Sequence, residues 1–127
     1  MSTRRVFVLL IGNQEGAEID HFQLLQAQTA LEEGRLRELK IAPEDAGLER
    51  TPQADLSGGD AAQNARRLEA LITGEKGPGR DAVVLNAAAA LVIAGRAKDL
   101  REAAVAAAEA IDGGRVRSLV ELLKRRR

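Results

Sequence analysis

Cysteine is absent from the 127 residues, so the chain has neither a disulfide staple nor a thiolate metal site. A single histidine rules out a multi-histidine metal cage. Tryptophan and tyrosine are missing and aromatics amount to 2%, which argues against the base-stacking platforms of single-strand nucleic-acid binders. Neither sign of charge is in excess: 19 Lys plus Arg balance 19 Asp plus Glu, and no global field draws the chain to nucleic acid or to a membrane surface. No apolar run reaches the roughly 18 residues of a membrane span. The short run Val6 to Ile11 has no small-residue cleavage site behind it and reads as a strand rather than as part of a signal peptide. The expected location is cytoplasmic.

What is present is ordinary for a globular protein, at 45% hydrophobic and 30% charged residues. The length fits one domain, residues 1–127, able to bury roughly two-thirds of its unfolded surface without staples. Residues 1–56 mix β-prone and polar segments; residues 57–127 are rich in alanine and read as helices. Val6 to Ile11 is continuously apolar and closed by Gly12-Asn13, the pattern of a strand buried on both faces in a parallel sheet. Gln23 to Leu31 is ambiguous by propensity, and Arg35 to Ile41 reads as a strand stopped by Pro43. Asp60 to Thr73 reads as a helix capped by Ser57 or Asp60, with Ala61, Ala65, Leu68 and Ile72 as its apolar stripe. Gly77-Pro78-Gly79 reads as a loop. Asp81 to Ala94 has Asn86 as its only uncharged polar residue, so it is expected to be the core helix, packed on several sides and anchored by Leu85 and Leu91. A third helix is capped by Asp99, with Glu102 completing a capping box, and turns Leu100, Ala104, Ala107 and Ile111 inward. The last places Val116, Leu119, Val120 and Leu123 on one face, with Lys124 to Arg127 at the C-terminus, where positive charge suits the helix dipole.

Three segments in order carry a family signature: Ile41-Ala42-Pro43-Glu44-Asp45-Ala46-Gly47-Leu48, Leu56-Ser57-Gly58-Gly59-Asp60-Ala61-Ala62-Gln63-Asn64-Ala65, and Gly74-Glu75-Lys76-Gly77-Pro78-Gly79-Arg80-Asp81-Ala82-Val83-Val84-Leu85-Asn86-Ala87-Ala88. Together they resemble the C-terminal part of the anthranilate phosphoribosyltransferase family. The resemblance implies a partial α/β domain, with a short sheet of two to three strands packed by about four helices. It also implies a strand-turn-strand over Thr29 to Ile41. The family moves a phosphoribosyl group from phosphoribosyl pyrophosphate to anthranilate in tryptophan synthesis. Its Gly-Thr-Gly-Gly-Asp phosphate loop has no match in these 127 residues. Its pyrophosphate-holding Asn and Ser/Thr residues and its anthranilate contacts have none either. The resemblance therefore implies a fragment or split piece that is inactive alone, binding its substrates only in a complete enzyme.

One element of the family's chemistry falls within range, an acidic pair that helps to hold magnesium. Here the matching stretch is Glu15-Gly16-Ala17-Glu18-Ile19-Asp20, with Ile19 where the second carboxylate belongs, so Glu18 and Asp20 are the candidate magnesium ligands. The competing reading is a solvated acidic loop. Ser57-Gly58-Gly59-Asp60 at a helix start suits a phosphate, but no lysine follows in P-loop position and a plain helix cap is the expectation. Asn86 is expected to satisfy itself on nearby backbone, and His21 has no visible catalytic partner. Expected partners are a second copy of the chain or a separate N-terminal portion. The rival to the enzyme-fragment reading is a non-catalytic module of the family that binds nucleic acid or a protein partner, to which the Arg-rich end Lys124 to Arg127 lends some support.

Overall fold

The computed structural model describes the backbone of residues 7–10, 22–26 and 37–126, and side chains from residue 41 onward except at 53, 54 and 93. Among the described residues, strand pairing involves β1 (Phe7–Leu10), β2 (Phe22–Gln26) and β3 (Arg37–Ile41). They pair antiparallel in the order β1-β2-β3, with Phe7 opposite Gln26 and Gln26 opposite Arg37. The described part of the apolar run at Val6 to Ile11, β1, thus pairs antiparallel with β2, where a parallel pairing was expected.

Beyond Ile41 the chain is helical. A 3-10 turn at Pro43–Ala46 opens with proline at its first position, and the Asp45 carboxylate accepts the Ala42 N–H at 2.9 Å. A second 3-10 turn covers Gln53–Leu56. Four α-helices follow: α1 (Ala61–Ile72), α2 (Pro78–Ile93), α3 (Leu100–Asp112) and α4 (Arg115–Lys124). Helix α2 begins at Pro78, three residues before the expected start. Proline is pre-set for the first helical position, where its missing N–H has no intrahelical partner to lose. Gly77 precedes it at φ 148, a conformation that L side chains rarely adopt.

The core lies between α2 and α3. Val84, Leu85, Ala88 and Ala89 meet Ala103, Ala104, Ala107 and Ile111, with Ile41 and Ala46 closing one end. Ala88 and Ala103 are fully buried, and their short side chains let the two backbones approach closely. Ile41 is the one strand residue whose side chain is described, and it joins this core.

The expected α/β arrangement, a short sheet packed by about four helices, is overturned. From Ala42 to Arg126 there is no strand, the core is helix on helix, and no strand makes an extensive contact with a helix. The physical reason is the alanine content of α2 and α3. Two helices with small residues on facing stripes bury each other's apolar surface directly and need no sheet between them.

Two further expectations are corrected. The face of α2 opposite the core stays open, since Val83 is 45% exposed and Ala90 is exposed. In α1 only the C-terminal end of the stripe is covered: Ile72 is buried, whereas Ala61 and Ala65 are exposed and Leu68 is half exposed. Helix α4 shows the same division. Val116 and Val120 are half-buried, while Leu119, Leu122 and Leu123 stand in the open.

Candidate functional site

Glu15, Glu18, Ile19, Asp20 and His21, the candidate metal-site stretch and the lone histidine, lie outside the described residues. Among the described residues no group of three or more His, Asp or Glu side chains is placed to hold a metal ion.

Ser57-Gly58-Gly59-Asp60 forms a helix cap. The Asp60 carboxylate accepts the Gln63 N–H at 2.8 Å, and the Gln63 side-chain oxygen accepts the Asp60 N–H at 2.9 Å. Asn64 reaches back as well, its Oδ1 accepting from Gly59 N–H and its Nδ2 donating to Gly59 O. The amides of Gly59 and Asp60, which a phosphate would need, are thus committed to side chains of α1 itself. Asn86 donates from Nδ2 to the Ala82 carbonyl one turn earlier at 2.8 Å, inside its own helix. Lys124 pairs with Glu69 at 2.7 Å and Glu121 at 3.3 Å, and both bonds raise its pKa. The basic end is therefore partly spent on tying α4 to α1.

The most organised polar group is one that the sequence reading did not single out. Arg80, in the first turn of α2, is buried and donates through both guanidinium nitrogens to the Asp112 carboxylate, at 2.7 and 2.9 Å. Asp112 ends α3, where a carboxylate opposes the helix dipole, and the fork of Arg80 offsets that penalty. Lys76 adds a distant contact at 3.9 Å. Arg80 holds the Asp112 carboxyl below its ordinary value, and the same hydrogen bonding raises Arg80. The clasp spans 32 residues and locks the start of α2 to the end of α3. A basic residue in the first turn of a proline-led helix, two places after Pro78, was the available signal. Its acidic partner could not be read from a sequence that leaves open how α2 and α3 cross.

Two depressions flank this clasp. A small notch of about 20 Å³, the size of one water, is lined by Leu48, Leu56, Pro78 and Leu85, with Glu49 and Asp81 at its polar side. Burial pushes the Asp81 carboxyl up, against the pull of Arg80, and Glu49 adds to the rise. A broad open cleft of about 660 Å³ runs between α1 and the start of α2, Gly77 to Arg80. Three of its cations are engaged: Arg80 with Asp112, Lys76 more distantly with the same carboxylate, and Arg67 with the Ser57 carbonyl. The three segments that carry the family signature thus have structural work here. The first forms the turn buried under α2 and α3, the second caps α1, and the third builds the clasp.

A family model described as "Glycosyl transferase family, a/b domain" matches residues 1–117. The chain belongs to this family. Among curated proteins, the anthranilate phosphoribosyltransferase of Methylocella silvestris is 56% identical over 94 residues, covering 74% of this chain and 27% of that protein. That of Myxococcus xanthus is 41% identical over 123 residues, covering 97% of this chain and 36% of its own length. A third, from Methanobrevibacter smithii, is 46% identical over 91 residues, covering 72% and 27%. The chain thus spans about a quarter to a third of these relatives and corresponds to one part of such an enzyme. Among the described residues of this family member, no helix is long and apolar enough to cross a membrane.

Proposed function

We propose that this chain serves as the C-terminal part of an anthranilate phosphoribosyltransferase, inactive alone and competent only with the remaining part of the enzyme. The identity of 41% across 97% of the chain carries this reading, because it extends over the whole helical unit rather than over one motif. In the assembled enzyme the amine of anthranilate attacks the anomeric ribose carbon of phosphoribosyl pyrophosphate and pyrophosphate leaves. Stabilising the leaving pyrophosphate with donors and magnesium carries most of the catalysis. Glu18 and Asp20 are this chain's candidates for magnesium, since carboxylate oxygens suit that ion. The helical unit contributes a rigid support held by the Arg80–Asp112 clasp. A cytoplasmic setting and assembly with a further chain go with this reading.

The test compares the pure chain with the chain co-expressed alongside the unmatched two-thirds of the Myxococcus xanthus relative. Consumption of anthranilate fluorescence in the presence of phosphoribosyl pyrophosphate and magnesium is the readout. No turnover is expected from the chain alone, and turnover is expected from the pair. Sustained turnover by the chain alone, or none by a stable complex, would overturn the proposal.

A further inference from the structure

The outer face of α4 has a composition that its place in the fold does not use. Leu119, Leu122 and Leu123 lie at i, i+3 and i+4 and so share one side of the helix. They are 56%, 49% and 60% exposed. Helix α4 is held to the body by its other edge, through half-buried Val116 and Val120 and the Lys124–Glu69 pair. Arg115, at the start of α4, and Arg126, two residues past its end, flank the leucine row at spacings of four, three and four residues through Leu119 and Leu122. The leucines thus form an apolar centre with a cation beyond each end. Neither arginine pairs with a carboxylate among the described residues.

We infer that this face of α4 is the docking surface for the remaining part of the enzyme, met by an apolar patch with carboxylates at its two ends. The inference rests on the proposed function above. Two observations select this occupant. The relatives carry the matched stretch in chains roughly three to four times as long, so a large cognate surface exists to cover it. The charge pattern also disfavours a second copy of the same face. An antiparallel α4–α4 pair would set Arg115 against Arg126 of the other copy, like charge on like, and Glu121, the one acid of α4, is bound by Lys124. A helix of ten residues is also marginal by itself, so a partner on its open side adds to its stability.

The experiment uses the co-expressed pair, with size-exclusion light scattering and titration calorimetry as readouts. Leu119→Glu with Leu123→Glu should weaken the complex by about tenfold or more. Unchanged circular dichroism would show that the chain still folds. Arg115→Glu with Arg126→Glu should weaken it less and remove most of its salt dependence. Val105→Glu, at an exposed position on α3, should leave affinity unchanged. A wild-type complex insensitive to both α4 variants overturns the inference and leaves the functional proposal standing. No complex with the wild-type chain overturns the functional proposal itself. Concentration-dependent dimers of the chain alone, abolished by the leucine variant, assign the face to a second copy and overturn the inference as well.

Discussion

Truncating Leu85 to alanine tests the helix-on-helix core most directly. Leu85 is 3% exposed and sits in the α2 stripe that faces α3. Complete loss of a buried leucine side chain to alanine costs about 2–5 kcal/mol, the sum of lost transfer energy and the cavity left behind. The notch of about 20 Å³ beside Leu85 places this site toward the middle of that range. It already breaks the packing on one side, so its walls at Leu48 and Leu56, which lie outside the α-helices, can relax inward. An effect of about 3 kcal/mol follows, or roughly 10 °C in melting temperature for a domain of this size. Leu85→Met keeps the volume and should cost less than about 1.5 kcal/mol. Leu91→Ala, at a half-buried position, should fall between the two. Urea titration followed by circular dichroism at 222 nm reads all three, with the slope confirming that the unfolded surface is unchanged. If Leu85→Ala shifts stability by less than about 1 kcal/mol at constant slope, α2 is not the core helix and the reasoning fails.

Replacing Asp60 with alanine removes the cap of α1 and should cost about 1 kcal/mol, seen as a lower urea midpoint; no change would mean that Asn64 alone holds the Gly59 end. The clasp gives the chain an acid-sensitive term. The Asp112 carboxyl is depressed by Arg80, so its contribution is present above the ordinary aspartate range and is lost as the pH falls through the lower, folded-state value. Asp112→Asn should therefore flatten the loss of stability between neutral pH and the acid limb, and an unaltered acid profile would refute the assignment. Asp81 works with the opposite sign: burial raises its carboxyl, so its contribution is full below the ordinary range and fades as the pH rises through the folded value. Asp81→Asn should accordingly gain relative stability toward neutral pH in the same titration. Gly114 joins α3 to α4 at φ 83, and Gly114→Ala should cost about 1 kcal/mol through left-handed strain, with an unaffected midpoint as the contrary result.

Local chemistry in the C-terminal half was legible from the residues alone. Asp60 and Asp99 cap their helices as side-chain type and spacing required, because a cap is a contact over three residues and owes nothing to the rest of the fold. Leu85, Ala104, Ala107 and Ile111 turn inward because helical periodicity fixes which residues share a stripe. Family membership was legible for the same reason, in three short segments whose order survives without any structure. Periodicity does not say whether a stripe is covered. The stripes of α1 and α4 are as regular as those of α2 and α3, yet Leu68, Leu119 and Leu123 remain exposed.

Tertiary structure decided three things. It replaced the expected sheet-and-helix core by two alanine-faced helices, since close approach of backbones depends on which stripes meet and not on the presence of an apolar run. It paired β1 antiparallel, because strand direction depends on the partner that a strand finds, and a run such as Val6 to Ile11 is compatible with either. It brought Arg80 to Asp112 across 32 residues, a contact fixed by the crossing of α2 and α3. The sequence by itself determined which side chains want burial, which ends want caps and which family the segments belong to, since these depend on residue type and spacing. Which of the apolar stripes found a partner within the chain depended on how the helices pack in three dimensions.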